Sequence, residues 1–116
     1  MNDEEAVMSA MIRMVDVATL AAWLTDGNAV VVDVREANEY RSGHIPGATL
    51  LPLSAFDPGK VPTVGGKHLV FHCQLGKRCG PASEKMAAAG FAGEIFRLAG
   101  GFKAWTDAGK PIEAAG

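Results

Sequence analysis

The sequence predicts an α/β fold in which helices cover both faces of a parallel sheet. Short runs rich in apolar and β-branched residues alternate along the chain with runs of helical periodicity, which is the pattern of a parallel sheet. Residues Ala29 to Asp33 form a continuous apolar run closed by an acid. Such a run is typical of a central parallel strand that reaches the carboxyl edge of its sheet.

The first half of the chain contains three predicted strands and two predicted helices. Residues 1–11 are expected to be a flexible leader, and residues 12–116 a single domain that opens with a strand to Val15. Asp16 is a good N-cap for a helix that ends at Gly27, because apolar residues follow it at helical spacing: Val17, Leu20, Ala21 and Leu24. After the strand Ala29–Asp33 we expect a short helix over Glu36–Ser42 and a strand over Thr49–Leu53.

The second half begins with an irregular connection over residues 54–67, where Gly and Pro cluster and mobility is expected. His68–His72 then reads as a buried strand, and Pro81–Ala89 as a helix because it contains no β-branched residue and starts with proline. A strand over Glu94–Leu98 and a helix over residues 102–108 complete the prediction.

Composition narrows the function classes. The 116 residues, 48% of them hydrophobic, are enough for one domain with its own core. The net charge of −2 argues against nucleic acid or an anionic membrane as the main partner. The acidic stretch Met1–Glu5 is followed by no long apolar run, so we expect a cytoplasmic protein, and its size and charge make a monomer the default.

Cys73 is the main candidate for chemistry. It lies in a predicted strand-to-helix turn, where the backbone N–H groups of residues 74–79 can converge on an anion and the helix N-terminus adds partial positive charge. Thiols at helix N-termini beside cations have pKa values of about 3.5–7.5, against about 8.5 for a free thiol. Lys77 and Arg78 supply cations nearby, which favours a reactive thiolate at Cys73. The alternative is that Cys73 is a buried structural cysteine.

A metal site at the same place is not expected. His68, His72, Cys73 and Cys79 lie close in sequence, and the two histidines have a spacing found in zinc sites. Successive side chains of a strand point to opposite faces, which separates His72 from Cys73.

Three segments, in the expected order, resemble the single-domain rhodanese family, and the resemblance covers about residues 13–112. They are Val32-Asp33-Val34-Arg35-Glu36 continuing through Glu39-Tyr40 to Gly43-His44-Ile45-Pro46-Gly47-Ala48, then Cys73-Gln74-Leu75-Gly76-Lys77-Arg78, and the weaker match Leu98-Ala99-Gly100-Gly101-Phe102-Lys103-Ala104-Trp105. The resemblance implies a three-layer fold with a five-stranded parallel sheet.

The resemblance also implies a sulfurtransferase that needs no cofactor. Cys73 would take sulfane sulfur from a donor such as thiosulfate, become a persulfide, and pass the sulfur to cyanide, a thiol or a protein acceptor. The substrate-binding residues implied by the match are those that follow the cysteine: Gln74, Leu75, Gly76, Lys77 and Arg78. The cations of Lys77 and Arg78 would in addition attract an anionic donor.

Three further residues are possible accessories. Asp33 and Arg35 are expected to hold the loops around the site by hydrogen bonds, with proton transfer as the alternative. Cys79 stands where the family commonly has Ser or Thr after the loop arginine. It is either a passive replacement or a second thiol that resolves the Cys73 persulfide as a disulfide.

Two rival function classes remain. Cysteine phosphatases and arsenate reductases share thiolate chemistry, but they place five residues between Cys and Arg, whereas four separate Cys73 from Arg78 here. The smaller loop suits a sulfur atom better than a tetrahedral oxyanion. The other rival is a non-enzymatic persulfide carrier or binding module, which only a dedicated partner would distinguish.

Overall fold

The structure is a computed structural model that describes residues 11–75, 79–91 and 93–114. Its centre is a five-stranded parallel sheet of strand order β1-β5-β4-β2-β3, which confirms the predicted fold class. The strands are β1 Met11–Val15, β2 Ala29–Asp33, β3 Thr49–Leu50, β4 His68–His72 and β5 Glu94–Leu98.

In the described part of the chain, three α-helices connect strands and a fourth follows β5. They are α1 Val17–Thr25, α2 Ala37–Ser42, α3 Cys79–Ala88 and α4 Gly101–Asp107, and two 3₁₀ turns, Leu53–Ala55 and Pro58–Lys60, lie between β3 and β4. The predicted N-cap of α1 is confirmed, because the Asp16 carboxylate accepts a hydrogen bond from the backbone N–H of Thr19 at 2.8 Å. Within the described residues no helix is long and apolar enough to cross a membrane.

The sheet separates two hydrophobic clusters, so helices cover both of its faces. One cluster packs Leu20 of α1 and Trp105 of α4 against Val70 of the central strand β4. The other packs Ala82 and Met86 of α3 against the opposite face, together with Leu69 and Phe71 of β4. Alternate residues of β4 therefore enter different cores, as the period of a strand requires.

Two predicted boundaries differ from the structure by more than one residue. The strand expected over Thr49–Leu53 is regular only at Thr49 and Leu50, because its partner β2 ends at Asp33, which lies opposite Leu50. The helix expected from Pro81 begins at Cys79, since proline is tolerated in a first turn, where N–H groups lack helical partners anyway. The leader predicted over residues 1–11 lies outside the described residues except for Met11, which opens β1.

Candidate active site

The carboxyl ends of β2 and β4 bring the predicted site residues together. The two strands are neighbours, and their register pairs Asp33 with His72, so Cys73 emerges from the sheet directly beside the end of β2. Such edges are where open parallel sheets bind ligands. Asp33, Arg35, Cys73 and Gln74 therefore share one corner of the molecule.

The backbone of Cys73 is fixed by the start of α4. The Cys73 carbonyl accepts a hydrogen bond from the N–H of Phe102 at 2.7 Å, and the Gln74 carbonyl accepts one from Lys103 at 3.0 Å. Gly101 permits this approach: its φ is +64°, and a Cβ there would lie 2.7 Å from the Gln74 carbonyl oxygen. The helix start and the chain around Cys73 therefore form one packed unit.

Cys79 lies directly against Cys73. It is the first residue of α3, it is fully buried, and its Sγ is 3.6 Å from the Cys73 Sγ and 3.5 Å from the Phe71 carbonyl oxygen. The hydrogen bond to Cys73, followed by burial, raises the pKa of the Cys79 thiol. Cys79 therefore keeps its proton at neutral pH and donates it toward Cys73. Cys73 is itself only 1% exposed.

A buried ion pair braces the edge of the sheet. The Arg35 guanidinium donates to both carboxylate oxygens of Asp33, with 2.7 Å between Nη2 and Oδ2 and 3.0 Å between Nε and Oδ1. The same Nη2 donates to the Gly43 carbonyl at 2.7 Å, and the guanidinium lies 4.2 Å from the centre of the Phe102 ring. Arg35 thus ties β2 to the end of α2 and to α4.

A cleft of about 340 Å³ opens beside Gln74, the residue that follows Cys73. Gln74 lies on its wall and accepts a hydrogen bond from the Arg35 Nη1 at 3.4 Å. The other lining residues are mostly polar: Arg35, Asn38, Glu39, Ser42, Gly43, Phe102, Thr106 and Ile112. Leu75, predicted to bind substrate, is 56% exposed. The cleft has the size and polarity to accept a small polar molecule.

His72 is a neutral histidine beneath the site. It is fully buried, its Nε2 lies 3.5 Å from the Asp33 Oδ2, and its ring stacks near Phe102. Burial lowers the pKa of His72 to about 4, and this effect outweighs the opposing one of the Asp33 carboxylate. His72 is therefore uncharged at neutral pH.

Arg97 is a site residue that the sequence reasoning missed. It lies on β5, and a Cβ at Gly80 would lie 3.5 Å from its Nη2, so its guanidinium borders the first turn of α3. Its charge lowers the pKa of Cys79, against the larger effects that raise it. An arginine among the apolar residues Ile95, Phe96 and Leu98 was the available signal.

Two other sets of predicted residues do not join this site. Gly76, Lys77 and Arg78 lie outside the described residues. His68, considered as a zinc ligand, instead stacks on Trp23, and its Nδ1 lies 3.0 Å from the Asn28 carbonyl oxygen. The described residues contain no group of three or more His, Cys, Asp or Glu side chains placed to hold a metal ion.

A comparison with models of protein families shows the family to which this chain belongs. The family model of the rhodanese-like domain matches residues 16–108, which include the strands β2 and β4 and Cys73. The chain belongs to the rhodanese-like family. Cys73 of this rhodanese-like domain is the first residue of the segment Cys73–Arg78, whose sequence resembles that of single-domain rhodaneses.

Relatives of this rhodanese-like domain include sulfurtransferases. The domain is 30% identical to the human thiosulfate:glutathione sulfurtransferase over 107 residues, covering 80% of this chain and 92% of that protein. It is 30% identical to a sulfurtransferase of Allochromatium vinosum, covering 90% of this chain and 97% of that protein. An uncharacterized Synechocystis protein is 43% identical over 82 residues, covering 71% of this chain and only 45% of that protein.

Solved structures have the same fold. A rhodanese-related protein from Thermoplasma volcanium is 26% identical and superposes with a TM-score of 0.74, covering 87% of this rhodanese-like domain and 97% of that chain. A human single-domain sulfurtransferase is 29% identical with a TM-score of 0.63, covering 81% of this domain and 95% of that chain. The chain spans 45% and 60% of two of its bacterial relatives, from Synechocystis and Bacillus subtilis.

Proposed function

We propose that this rhodanese-like domain is a sulfurtransferase that uses Cys73 as its nucleophile. The Cys73 thiolate attacks the outer sulfur of thiosulfate, the S–S bond of the donor breaks, and sulfite leaves with the electron pair. The persulfide on Cys73 then passes its outer sulfur to cyanide or a thiol, which restores the thiolate. Each step is attack by a sulfur or carbon nucleophile on sulfane sulfur, so the reaction requires no cofactor.

The observation that carries this proposal is the contact between the Cys73 Sγ and the first residue of α3. The 3.6 Å separation from the Cys79 Sγ brings the Cys73 sulfur to the N-terminus of a ten-residue helix, where partial positive charge favours a thiolate. The protonated Cys79 thiol is a donor toward that anion, although a weaker one than a hydroxyl.

In this proposal the basic residues near Cys73 have two roles, which are to position the chain and to attract the donor. Arg35 is engaged with the Asp33 carboxylate and the Gly43 carbonyl, which suits it to positioning the chain around Cys73. Lys77 and Arg78, which follow Cys73 in sequence, would attract the anionic donor and cradle the persulfide with Gln74 and Leu75.

For the acceptor we propose a small polar thiol in a reducing, cytoplasmic environment. The cleft beside Gln74 carries both hydrogen-bond donors and acceptors, including Asn38, Glu39 and Thr106, which suit a molecule of mixed charge. The human relative is named for transfer from thiosulfate to glutathione. A persulfide carrier that passes sulfur to a partner protein would use the same cysteine with a slower small-molecule turnover.

The test is steady-state turnover of thiosulfate with cyanide or glutathione as acceptor, followed as thiocyanate or glutathione persulfide. We expect wild type to turn over, Cys73→Ser to be inactive, and Cys79→Ser to retain thiocyanate formation, because its hydroxyl also donates to Cys73. Turnover by Cys73→Ser at the wild-type rate would refute the proposal. Cys73-dependent hydrolysis of para-nitrophenyl phosphate, without sulfur transfer, would instead indicate a cysteine phosphatase.

A further inference from the structure

The two cysteines of this chain form a buried pair rather than two separate thiols. Their Sγ atoms are 3.6 Å apart, both are thiols that are not joined in a disulfide, and both side chains are almost completely removed from solvent. A disulfide requires about 2.05 Å between the sulfurs, so an approach of about 1.5 Å would join them. The pair thus lies within one small side-chain movement of a covalent bond.

We propose that Cys79 attacks the persulfide of Cys73 and releases its outer sulfur as sulfide, leaving a Cys73–Cys79 disulfide. This inference rests on the proposed function, because it requires that Cys73 carry a sulfane sulfur. It adds a second outcome for that sulfur: reduction to sulfide in place of transfer to an acceptor.

The step balances without an oxidant. The Cys79 sulfur attacks the Cys73 Sγ, the bond from Sγ to the outer sulfur breaks, and the outer sulfur leaves as HS⁻ with that electron pair and the proton of Cys79. The outer sulfur is reduced by two electrons, and each cysteine sulfur is oxidised by one. A dithiol reductant then opens the disulfide by thiol–disulfide exchange and returns both cysteines to thiols.

The positions of the two sulfurs favour this attack. A displacement at sulfur needs the nucleophile opposite the leaving group, in line with the bond that breaks. The outer sulfur arrives with a donor from solvent, whereas Cys79 is fully buried and touches Cys73 from the protein interior, beside the Phe71 carbonyl. The reaction therefore requires the outer sulfur to join the Cys73 Sγ on the side away from Cys79.

Formation of the Cys73 persulfide weakens the main interaction that keeps the Cys79 thiol protonated. In the resting pair the largest cause of the raised Cys79 pKa is the hydrogen bond to Cys73, followed by burial. Once the Cys73 Sγ is bonded to a second sulfur it no longer carries the thiolate charge. The Arg97 guanidinium and the N-terminus of α3 remain and favour a thiolate at Cys79.

The experiment is a single turnover under anaerobic conditions with the full chain, reduced and then freed of reductant, and thiosulfate as the probe. Sulfite, sulfide and intact mass are measured for wild type, Cys79→Ser, Cys79→Ala and Cys73→Ser. We expect wild type to release sulfite and sulfide in equal amounts and to end two hydrogen atoms lighter. Both Cys79 variants should release sulfite alone and retain one added sulfur atom.

Two other outcomes would contradict either this inference alone or the proposed function as well. If wild type retains its added sulfur and releases no more sulfide than the Cys79 variants, the inference is overturned while the proposed function stands. If none of the four proteins releases sulfite, the proposed function fails together with the inference. Cooperative urea unfolding of both Cys79 variants excludes misfolding as the cause of lost sulfide release, and a dithiol should return the wild-type product to its starting mass.

Discussion

Asp33 and Arg35 are the residues on which the structure of the site depends most. The Asp33 carboxylate is fully buried, and the Arg35 guanidinium neutralises it through paired hydrogen bonds. A buried charge is tolerated only with such a partner. The pair therefore holds the edge of the sheet in shape, and removing one member should cost more than removing both.

Replacement of Arg35 by leucine should lower the free energy of unfolding by about 3–5 kcal/mol, because the Asp33 carboxylate is left buried without its partner. Urea denaturation measures this loss. The matched control is the double variant Asp33→Asn with Arg35→Leu, which should recover part of the lost stability. Equal stability of Arg35→Leu and wild type would show that the ion pair does not brace the domain.

His72 should make the protein less stable in mild acid. Its pKa is about 4 in the folded chain, against about 6.5 in an unfolded one, so below pH 6.5 the unfolded chain binds a proton that the folded chain does not. Stability attributable to His72 is therefore present above about pH 6.5 and is lost as the pH falls toward 4. Between pH 7 and pH 5 the loss should be about 2 kcal/mol.

The measurement is urea denaturation of wild type and His72→Gln at several pH values in this range. Glutamine does not titrate, so the stability of the variant should fall less steeply, whatever its value at pH 7. The comparison cancels the contributions of other groups, such as the neighbouring Asp33. Parallel pH profiles for the two proteins would contradict the buried neutral state of His72.

At the scale of elements, the central strands of the sheet were predicted best. The bounds of Ala29–Asp33, His68–His72 and Glu94–Leu98 match those expected from short runs dominated by apolar residues, which are typical of mostly buried strands. The edge strand β3 was predicted three residues too long. Leu51 and Leu53 still donate hydrogen bonds to the carbonyls of Asp33 and Val34, but β2 ends at Asp33 and these bonds no longer form a regular ladder.

The contact between α4 and the Cys73 segment gives a prediction for Gly101→Ala. The methyl group would collide with the backbone of residues 73 and 74 as well as straining a positive φ. Gly109→Ala is the matched control, because its φ is +72° with no atom within 4 Å of the added Cβ. Gly109→Ala should cost about 1 kcal/mol, from backbone strain alone.

Gly101→Ala should be less stable than Gly109→Ala by at least about 2 kcal/mol, because the overlap adds to the same backbone strain. It should also load sulfur from thiosulfate more slowly, since the chain that presents Cys73 has to move away from α4. Urea denaturation and the initial rate of sulfite release measure the two effects. Identical behaviour of the two glycine variants would show that the close approach is unimportant.

At the scale of the whole molecule, the C-terminal segment closes the fold by returning to its first half. Glu113 and His44 exchange two backbone hydrogen bonds of 2.8 and 2.9 Å, and the Trp105 indole N–H donates to the Pro111 carbonyl at 2.7 Å. Ile112, between these contacts, lines the cleft beside Gln74. The C-terminal segment therefore contributes both to the stability of the core and to the wall of the cleft.

Deletion of residues 111–116 should lower the free energy of unfolding by about 1–3 kcal/mol, because the partly buried indole N–H of Trp105 loses its acceptor. Glu113→Gln is the control: its side chain is exposed and lies 3.7 Å from the His44 ring, so the change should cost less than about 0.5 kcal/mol. Thermal or urea unfolding compares the two. A deletion no more harmful than Glu113→Gln would contradict the structural role of the segment.

That Asp33 and Cys73 lie together could be predicted because it follows from topology. Asp33 and Cys73 each follow an apolar strand, and parallel strands end at one edge. The contacts within the site could not be predicted in the same way. The 3.6 Å approach of Cys79 to Cys73 depends on α3 beginning at Cys79, and the place of Arg97 depends on strand order, which no local pattern records.

The most direct test of the central claim is to locate the transferred sulfur atom. Cys79→Ser, which cannot form a disulfide within the chain, is treated with thiosulfate, digested without reductant and analysed by peptide mass spectrometry. We predict one added sulfur atom on the peptide that contains Cys73, removable by cyanide. A folded protein that yields this peptide unmodified, or carries the sulfur elsewhere, would contradict a Cys73 persulfide formed from thiosulfate.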